Sequence, residues 1–186
     1  MAADAQAPQP ARPSPVTLRC RTVATGGFKQ MNYVRGLPPI PVEERFGPSD
    51  DALAANPSET LLVALGSCLS ARIHANAASG SIMVRSLELE VEADLAPSTM
   101  WDARGRSVDA MGFEAIRVAV HMEANASPEA LRALIAHAVL WSPVANTLYG
   151  PVHLDVALAG GIDPVRWTVW RLTNYVLAMA ACMSAS

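Results

Sequence analysis

The segment from Asn56 to Ala78 constrains the fold more than any other part of the chain, because it predicts one long helix that carries a single cysteine. Asn56 is a good N-cap, Pro57 suits the first helical position, and Gly80 supplies a stop. Apolar residues recur at three- and four-residue spacings, namely Leu61, Leu62, Leu65, Cys68, Leu69 and Ile73. This spacing predicts a buried stripe that includes the cysteine, and the small residues along the segment favour packing against a second helix.

Alternation of apolar and polar residues on both sides of this helix predicts β-strands. The predicted strands cover residues 16–25, 28–35, 42–46, 81–95, 112–124 and 152–158. Ser127-Pro128 and Ser142-Pro143 each combine an N-cap with a proline suited to the first turn, so they predict a second helix and a short third one. The pattern as a whole predicts an α+β fold in which a sheet packs against helices.

The two ends of the chain differ in composition from this central part. Residues 1–15 are rich in Ala, Pro and Gln without the apolar core of a signal peptide, which predicts a disordered tail before a main domain over residues 16–160. Asp163-Pro164 predicts a C-terminal helical extension over residues 161–186. Its charged residues leave only about 12 apolar-leaning positions, short of the roughly 20 needed to span a bilayer. We therefore expect a helix that covers a partner subunit, with a membrane span as the alternative.

Composition excludes several classes of partner. The net charge of −3 argues against nucleic acid or an anionic membrane, since both require clustered Lys and Arg. With 51% hydrophobic residues, the chain is expected to hide apolar surface in an oligomer. The three cysteines form no CxxC pair, which suits a reducing cytoplasm. The four histidines lack metal-ligand spacing, and there is no phosphate loop, so we expect neither a metal nor a cofactor.

Two motifs carry a resemblance to a known family. The run Asn-Pro-Ser-Glu-Thr-Leu-Leu-Val-Ala-Leu-Gly-Ser-Cys-Leu at residues 56–69 resembles the central-helix motif of the OsmC/Ohr family. The segment Ser142-Pro143-Val144 is similar to the Cys-Pro-Val segment of that family, and residues 24–27 are similar to a short motif after its first strand. The resemblance implies an OsmC-like sandwich of antiparallel sheet and two central helices, assembled as an intertwined homodimer.

The resemblance also implies a chemistry. The best-studied members of the family are thiol peroxidases that reduce organic hydroperoxides with two cysteines, an arginine and a glutamate. Carried over by position, the first cysteine is Cys68 and the second falls on Ser142. The glutamate falls on Ser58 with Glu59 beside it, and the arginine of one branch falls on Phe28. Three of the four positions therefore depart from the family pattern.

These departures leave open how Cys68 would be activated. A peroxidatic thiol must be ionised, and a free cysteine with a pKa of about 8.5 is mostly protonated at neutral pH. Other branches of the family take the arginine from a later strand, which would make Arg45 or Arg35 the substitute; alternatively both are solvated strand-end charges. Glu59 stands about 13.5 Å before Cys68 along a straight helix, so it would act only on a partner subunit, or serve as a first-turn helix charge.

Two functions follow from these observations. The first is a one-cysteine thiol peroxidase for oxidative stress defence, which acts on a small hydrophobic hydroperoxide and uses an external thiol as reductant, since Ser142 cannot form a disulfide. The second is a non-catalytic homodimer that binds a small hydrophobic ligand or serves a structural role. Both hypotheses expect a cytoplasmic protein.

Overall fold

The computed structural model describes residues 15–26, 28–44, 53–95, 112–150, 152–156 and 165–167. The chain divides into two compact units, residues 1–57 and residues 58–186, which are described separately below. The predicted N-terminal tail lies outside the described residues, except for residue 15.

The N-terminal unit contains a three-stranded antiparallel sheet in the order β1-β2-β3. The strands are β1 (Arg21–Gly26), β2 (Lys29–Tyr33) and β3 (Ile40–Glu43). The predicted hairpin of the first two strands is confirmed, although β1 begins later than expected. The third strand ends earlier than expected because its pairing with β2 runs only from Asn32↔Ile40 to Lys29↔Glu43. An ion pair of 3.7 Å joins Lys29 and Glu43 where these two strands pair.

The long helix α1 (Pro57–Ser79) begins and ends as the sequence predicts. Its buried residues are spaced four apart: Leu65, Leu69, Ile73 and Ala77. Gly80 follows the last turn, and its backbone N–H donates to the carbonyl of Asn76 at 3.0 Å. The buried stripe is narrower than predicted, since Leu61 is 37% exposed and Leu62 is half-buried.

A long antiparallel hairpin, β4 (Val84–Leu95) and β5 (Phe113–Ala124), forms the sheet of the second unit. Its register pairs Leu89 with Val120 and Val91 with Val118, so one face is apolar. The outer face is charged: Arg117 donates two hydrogen bonds to the carboxylate of Asp94 on this face. The hydrogen bonds from Arg117 lower the pKa of Asp94 below its usual range. Because both side chains are exposed, this pair adds little to stability.

Helices α2 (Pro128–Leu140) and α3 (Pro143–Tyr149) follow the hairpin. Their N-caps are Ser127 and Ser142, as the Ser-Pro pairs predict. The apolar face of the hairpin contributes to two core clusters. One contains Ile73, Ala77, Leu134 and Ala138. The other contains Leu65, Leu69 and Ala145. Helix α1 therefore packs against the hairpin, α2 and α3, which confirms both the α+β class and the predicted packing of helix on helix.

The last described elements are β6 (Leu154–Val156) and β7 (Val165–Trp167), which pair antiparallel with Leu154 opposite Trp167. The predicted helix that opens at Asp163 is therefore wrong at residues 165–167. A Val-Arg-Trp run has strong β-propensity, and pairing with β6 prevails over the helical pattern there. The rest of the predicted extension, including Cys182, lies outside the described residues.

Candidate functional site

Cys68 lies in the middle of α1, at the edge of the buried stripe. Leu65 and Leu69, on either side of it, are each 5% exposed, whereas the side chain of Cys68 is half-buried. Each helical residue advances by about 100° around the axis, which places Cys68 beside the stripe and not at its centre. Cys68 therefore keeps part of its surface in contact with solvent while its helix is fixed by the core.

Ser142 is held by the start of α3. It is the N-cap with φ −81° and ψ 114°, and its Oγ accepts a hydrogen bond from the backbone N–H of Ala145 at 3.2 Å. Pro143 occupies the first helical position, where its missing N–H costs nothing. The side chain of Ser142 is 0% exposed, so the hydroxyl must find its partners within the protein.

The hydroxyl of Ser142 also donates a hydrogen bond to Sγ of Cys68, with an O···S distance of 3.1 Å. A serine hydroxyl has one donor and two acceptor positions, so the same group can cap α3 and contact the sulfur. A thiol is a weak acceptor, while an ionised acceptor makes a stronger bond. The contact therefore gives the sulfur of Cys68 a fixed hydrogen-bond partner. The two positions that the family resemblance pairs are in direct contact, although 74 residues separate them.

The other predicted site residues are spread over different elements, and one of them lies outside the described residues. Glu59 is exposed in the first turn of α1, nine residues before Cys68. Arg45 lies outside the described residues. Arg35 and Phe28 belong to the N-terminal unit, where Arg35 is exposed with a φ of 53° and Phe28 is 49% exposed. Of the predicted residues, only Ser142 is shown in contact with Cys68.

Sequence reasoning missed Arg72, which lies one helical turn after Cys68 on α1. Residues four apart on a helix are neighbours on its surface, with about 5–6 Å between their Cβ atoms. Arg72 is exposed and makes no ion pair with any residue in the described ranges. The Cys-x-x-x-Arg spacing was the signal that would have identified it.

The described ranges contain one cysteine besides Cys68. Cys20 is a free, exposed cysteine just before β1, in the other unit. Within the described ranges, no group of three or more His, Cys, Asp or Glu side chains is arranged to hold a metal ion.

An apolar cavity of about 600 Å³ lies against the buried stripe of α1. Its lining comes from α1, β5, α2 and α3, and includes Leu65, Leu69, Ile135, Leu148 and Tyr149. Glu114 is the one charged residue that lines it among those described. The volume falls within the range of small-molecule sites, and Leu65 and Leu69 link the cavity to the helix segment that carries Cys68.

Comparison with known structures identifies the fold. An OsmC-like protein from Mycoplasma pneumoniae is 18% identical, with a TM-score of 0.62 over 73% of this chain and 89% of that one. An organic hydroperoxide resistance protein OsmC from Legionella pneumophila is 19% identical, with a TM-score of 0.52 over 74% of this chain and 93% of that one. An OsmC-like protein of unknown function from Vibrio cholerae is 14% identical, with a TM-score of 0.52 over 71% and 93%. A search of curated proteins finds no significant match.

The fold and the Cys68–Ser142 contact define an α+β protein with a thiol on its central helix. The family model for OsmC-like proteins matches residues 48–157, more than half of the 186 residues. The chain therefore belongs to the OsmC-like protein family. Members of this family are soluble and are typically homodimers.

Helix α1 is also long and apolar enough to cross a membrane, by length and composition only: it has 23 residues and a mean hydropathy of 1.2 in its most apolar window. Core helices of soluble proteins meet the same criterion. Because α1 carries the residues of both core clusters and lies within the family match, we assign it to the core of the domain.

Ser142→Ala is expected to slow alkylation of Cys68 at neutral pH several-fold, because it removes the hydrogen bond that orients the sulfur. It should also cost about 1 kcal/mol of stability through the lost N-cap. Ser127→Ala is the matched control, since Ser127 caps α2 through Ala130 and also precedes a proline. This control should lose similar stability without slowing alkylation. Equal alkylation rates in both variants would contradict a role for Ser142 at the sulfur.

Proposed function

We propose that this OsmC-like protein is a cytoplasmic one-cysteine thiol peroxidase that reduces organic hydroperoxides, with Cys68 as the reacting residue. The observation that carries the proposal is the hydrogen bond from the buried hydroxyl of Ser142 to the half-buried sulfur of Cys68. This contact supports the proposal because it orients the sulfur, and because Cys68 is partly exposed, as reactive cysteines are.

The reaction proceeds in balanced steps. The thiolate of Cys68 attacks the terminal oxygen of the hydroperoxide, so that an S–O bond forms and the O–O bond breaks. The departing alkoxide takes up the proton lost by the thiol and leaves as an alcohol. Sulfur is oxidised to sulfenic acid, while the hydroperoxide is reduced.

Regeneration requires a thiol from outside the chain, because the oxygen of Ser142 cannot form a disulfide. An external thiol attacks the sulfenic sulfur of Cys68, which releases water and forms a mixed disulfide. A second external thiol then displaces Cys68 and leaves as a disulfide with the first. Low-molecular-weight thiols of a reducing cytoplasm are the proposed source.

Arg45 and Glu59 complete the proposed site. A guanidinium would favour the ionised sulfur and orient the hydroperoxide, and Arg45 is the proposed source, with Arg72 as the competing candidate on α1 itself. Glu59 is proposed to orient the arginine of a partner subunit, because its distance from Cys68 within one helix is too large for contact. This arrangement requires a homodimer.

Binding without chemistry is a second candidate function. The specific observation in its favour is the apolar cavity of about 600 Å³ beside α1, which suits a small hydrophobic ligand. In this case Cys68 would remain a thiol throughout, and the cavity alone would define the activity.

Ser142→Cys is expected to create an internal resolving thiol, because Pro143 and α3 already hold the backbone of this position against Cys68. After one equivalent of organic hydroperoxide, mass spectrometry should find a disulfide between Cys68 and the introduced cysteine. The parent protein should instead accumulate sulfenic acid at Cys68, and a second equivalent of hydroperoxide should convert it to sulfinic acid. The control Cys68→Ser should consume no hydroperoxide. A free thiol at Cys68 in both the parent and Ser142→Cys would leave ligand binding as the function.

Alanine variants distinguish the arginines. Loss of a charged hydrogen-bond partner costs about 1.5–3 kcal/mol, so Arg45→Ala should lower the rate constant for hydroperoxide reduction by about tenfold to a hundredfold. Arg35→Ala and Arg72→Ala serve as matched controls and should stay within about twofold of the parent. If the loss appears in Arg72→Ala instead, the guanidinium comes from α1 and the assignment to Arg45 is wrong.

The oligomeric state tests the proposed arrangement of Glu59 directly. Sedimentation equilibrium at micromolar concentration should give twice the mass of the 186-residue chain. A folded monomer under these conditions would exclude a site that Glu59 completes from a partner subunit.

A further inference from the structure

A carboxylate interrupts the apolar face of the hairpin where this face meets the cavity. Ile116, Val118 and Val120 line the cavity and alternate along β5, as residues on one face of a strand do. Glu114 continues this alternation by one more step, and it lines the cavity too. An acidic residue therefore occupies a position where the pattern of the strand calls for an apolar one, and such breaks in a pattern are expected at functional sites.

The pairing of the hairpin is irregular at the same position. Ala115 pairs with Asp94, whereas Phe113 pairs with Leu95. Glu114 is therefore an extra residue between two pairs, which is the definition of a β-bulge. A bulge interrupts the alternation of faces, so that Phe113 and Glu114 both line the cavity although they are adjacent in the sequence. Bulges often occur beside functional sites, where they redirect a side chain.

Glu114 and Tyr149 mark the open edge of the cavity. Both residues line it, and both are exposed, Tyr149 by 86%. Glu114 makes no ion pair with any residue in the part of the chain that the structure describes. The other described residues of the lining carry no charge. The edge of the cavity thus offers a negative charge and an aromatic ring, while its interior offers apolar side chains.

We propose that the cavity binds an amphiphilic amine, which is a small molecule with an apolar body and one cationic amino group. The apolar body occupies the interior, while the ammonium group pairs with Glu114 and contacts the ring of Tyr149, whose face attracts cations. An anionic ligand with the same body is disfavoured, because its charge would lie near that of Glu114. The inference rests on the second candidate function, ligand binding in the cavity, and specifies the class of ligand.

Three ligands with the same alkyl chain test this inference in the full-length protein. Decylamine, decanol and decanoate differ only in the end group, and the amine is protonated at neutral pH, as the side chain of lysine is. Isothermal titration calorimetry below their micellar concentrations should show decylamine binding about threefold to tenfold more tightly than decanol, and decanoate binding most weakly. High salt should reduce the preference for the amine, because it screens charges at the surface.

Variants at the edge of the cavity assign the preference to named residues. Glu114→Gln should weaken binding of decylamine about threefold and leave decanol unchanged. Glu123→Gln is the matched control, because Glu123 is an exposed residue of the same strand that does not line the cavity, and it should change neither affinity. Tyr149→Leu keeps an apolar side chain without the ring, and should weaken decylamine alone about twofold.

Several outcomes would overturn the proposal. If decanol or decanoate binds the parent protein as tightly as decylamine does, the ligand is not an amine. If none of the three ligands binds, the cavity is not a site for amphiphiles. An equal loss of affinity in Glu114→Gln and Glu123→Gln would show that the preference comes from net charge and not from the cavity. Because no hydroperoxide is present, each of these results leaves the peroxidase chemistry of Cys68 unaffected.

Discussion

The described part of the second unit depends on the burial of one stripe of α1. Leu65, Leu69, Ile73 and Ala77 are at most 5% exposed, and each belongs to a core cluster with the hairpin, α2 or α3. Gly66 permits this arrangement, because a Cβ at that position would lie 3.3 Å from Cγ2 of Val91 on β4. The narrow stripe also explains the position of Cys68: it fixes the helix on one side of this residue, and Cys68 itself remains partly exposed.

The contact between Cys68 and Ser142 follows from that packing and from helix capping together. Ala145 belongs to the same cluster as Leu65 and Leu69, so the start of α3 is held against the middle of α1. An N-cap side chain must turn back toward the helix that it caps, and here this places the hydroxyl of Ser142 within 3.1 Å of the sulfur. A cysteine would leave the same backbone in place, and would lose only the capping hydroxyl.

Most of this fold could be predicted from the sequence, because the strongest signals are local. The Pro57 and Gly80 boundaries and the Ser127 and Ser142 caps depend on a few neighbouring residues, and the structure confirms all of them except the N-cap at Asn56, which stays a prediction. The strand at Val165–Trp167 could not be predicted from its helical spacing, because it depends on pairing with β6. Likewise, the sequence indicated a second-cysteine position at Ser142 only through family resemblance. Tertiary packing brings Ser142 into contact with Cys68, although 74 residues separate them in the sequence.

The cavity and the thiol are on neighbouring sides of the same helical turn. Leu65 and Leu69 line the cavity and flank Cys68 along the chain, so a change in what fills the cavity acts on the helix segment that holds the sulfur. A rigid, close-packed core transmits such a change, because side chains that interdigitate cannot move independently. A change in the cavity would also affect Ser142. Its hydroxyl is hydrogen-bonded both to the sulfur and to the backbone N–H of Ala145, and Ala145 and Leu148 of α3 line the same cavity. We therefore expect occupancy of the cavity to be coupled to the reactivity of Cys68, both through the helix segment that contains Leu65 and Leu69 and through Ser142.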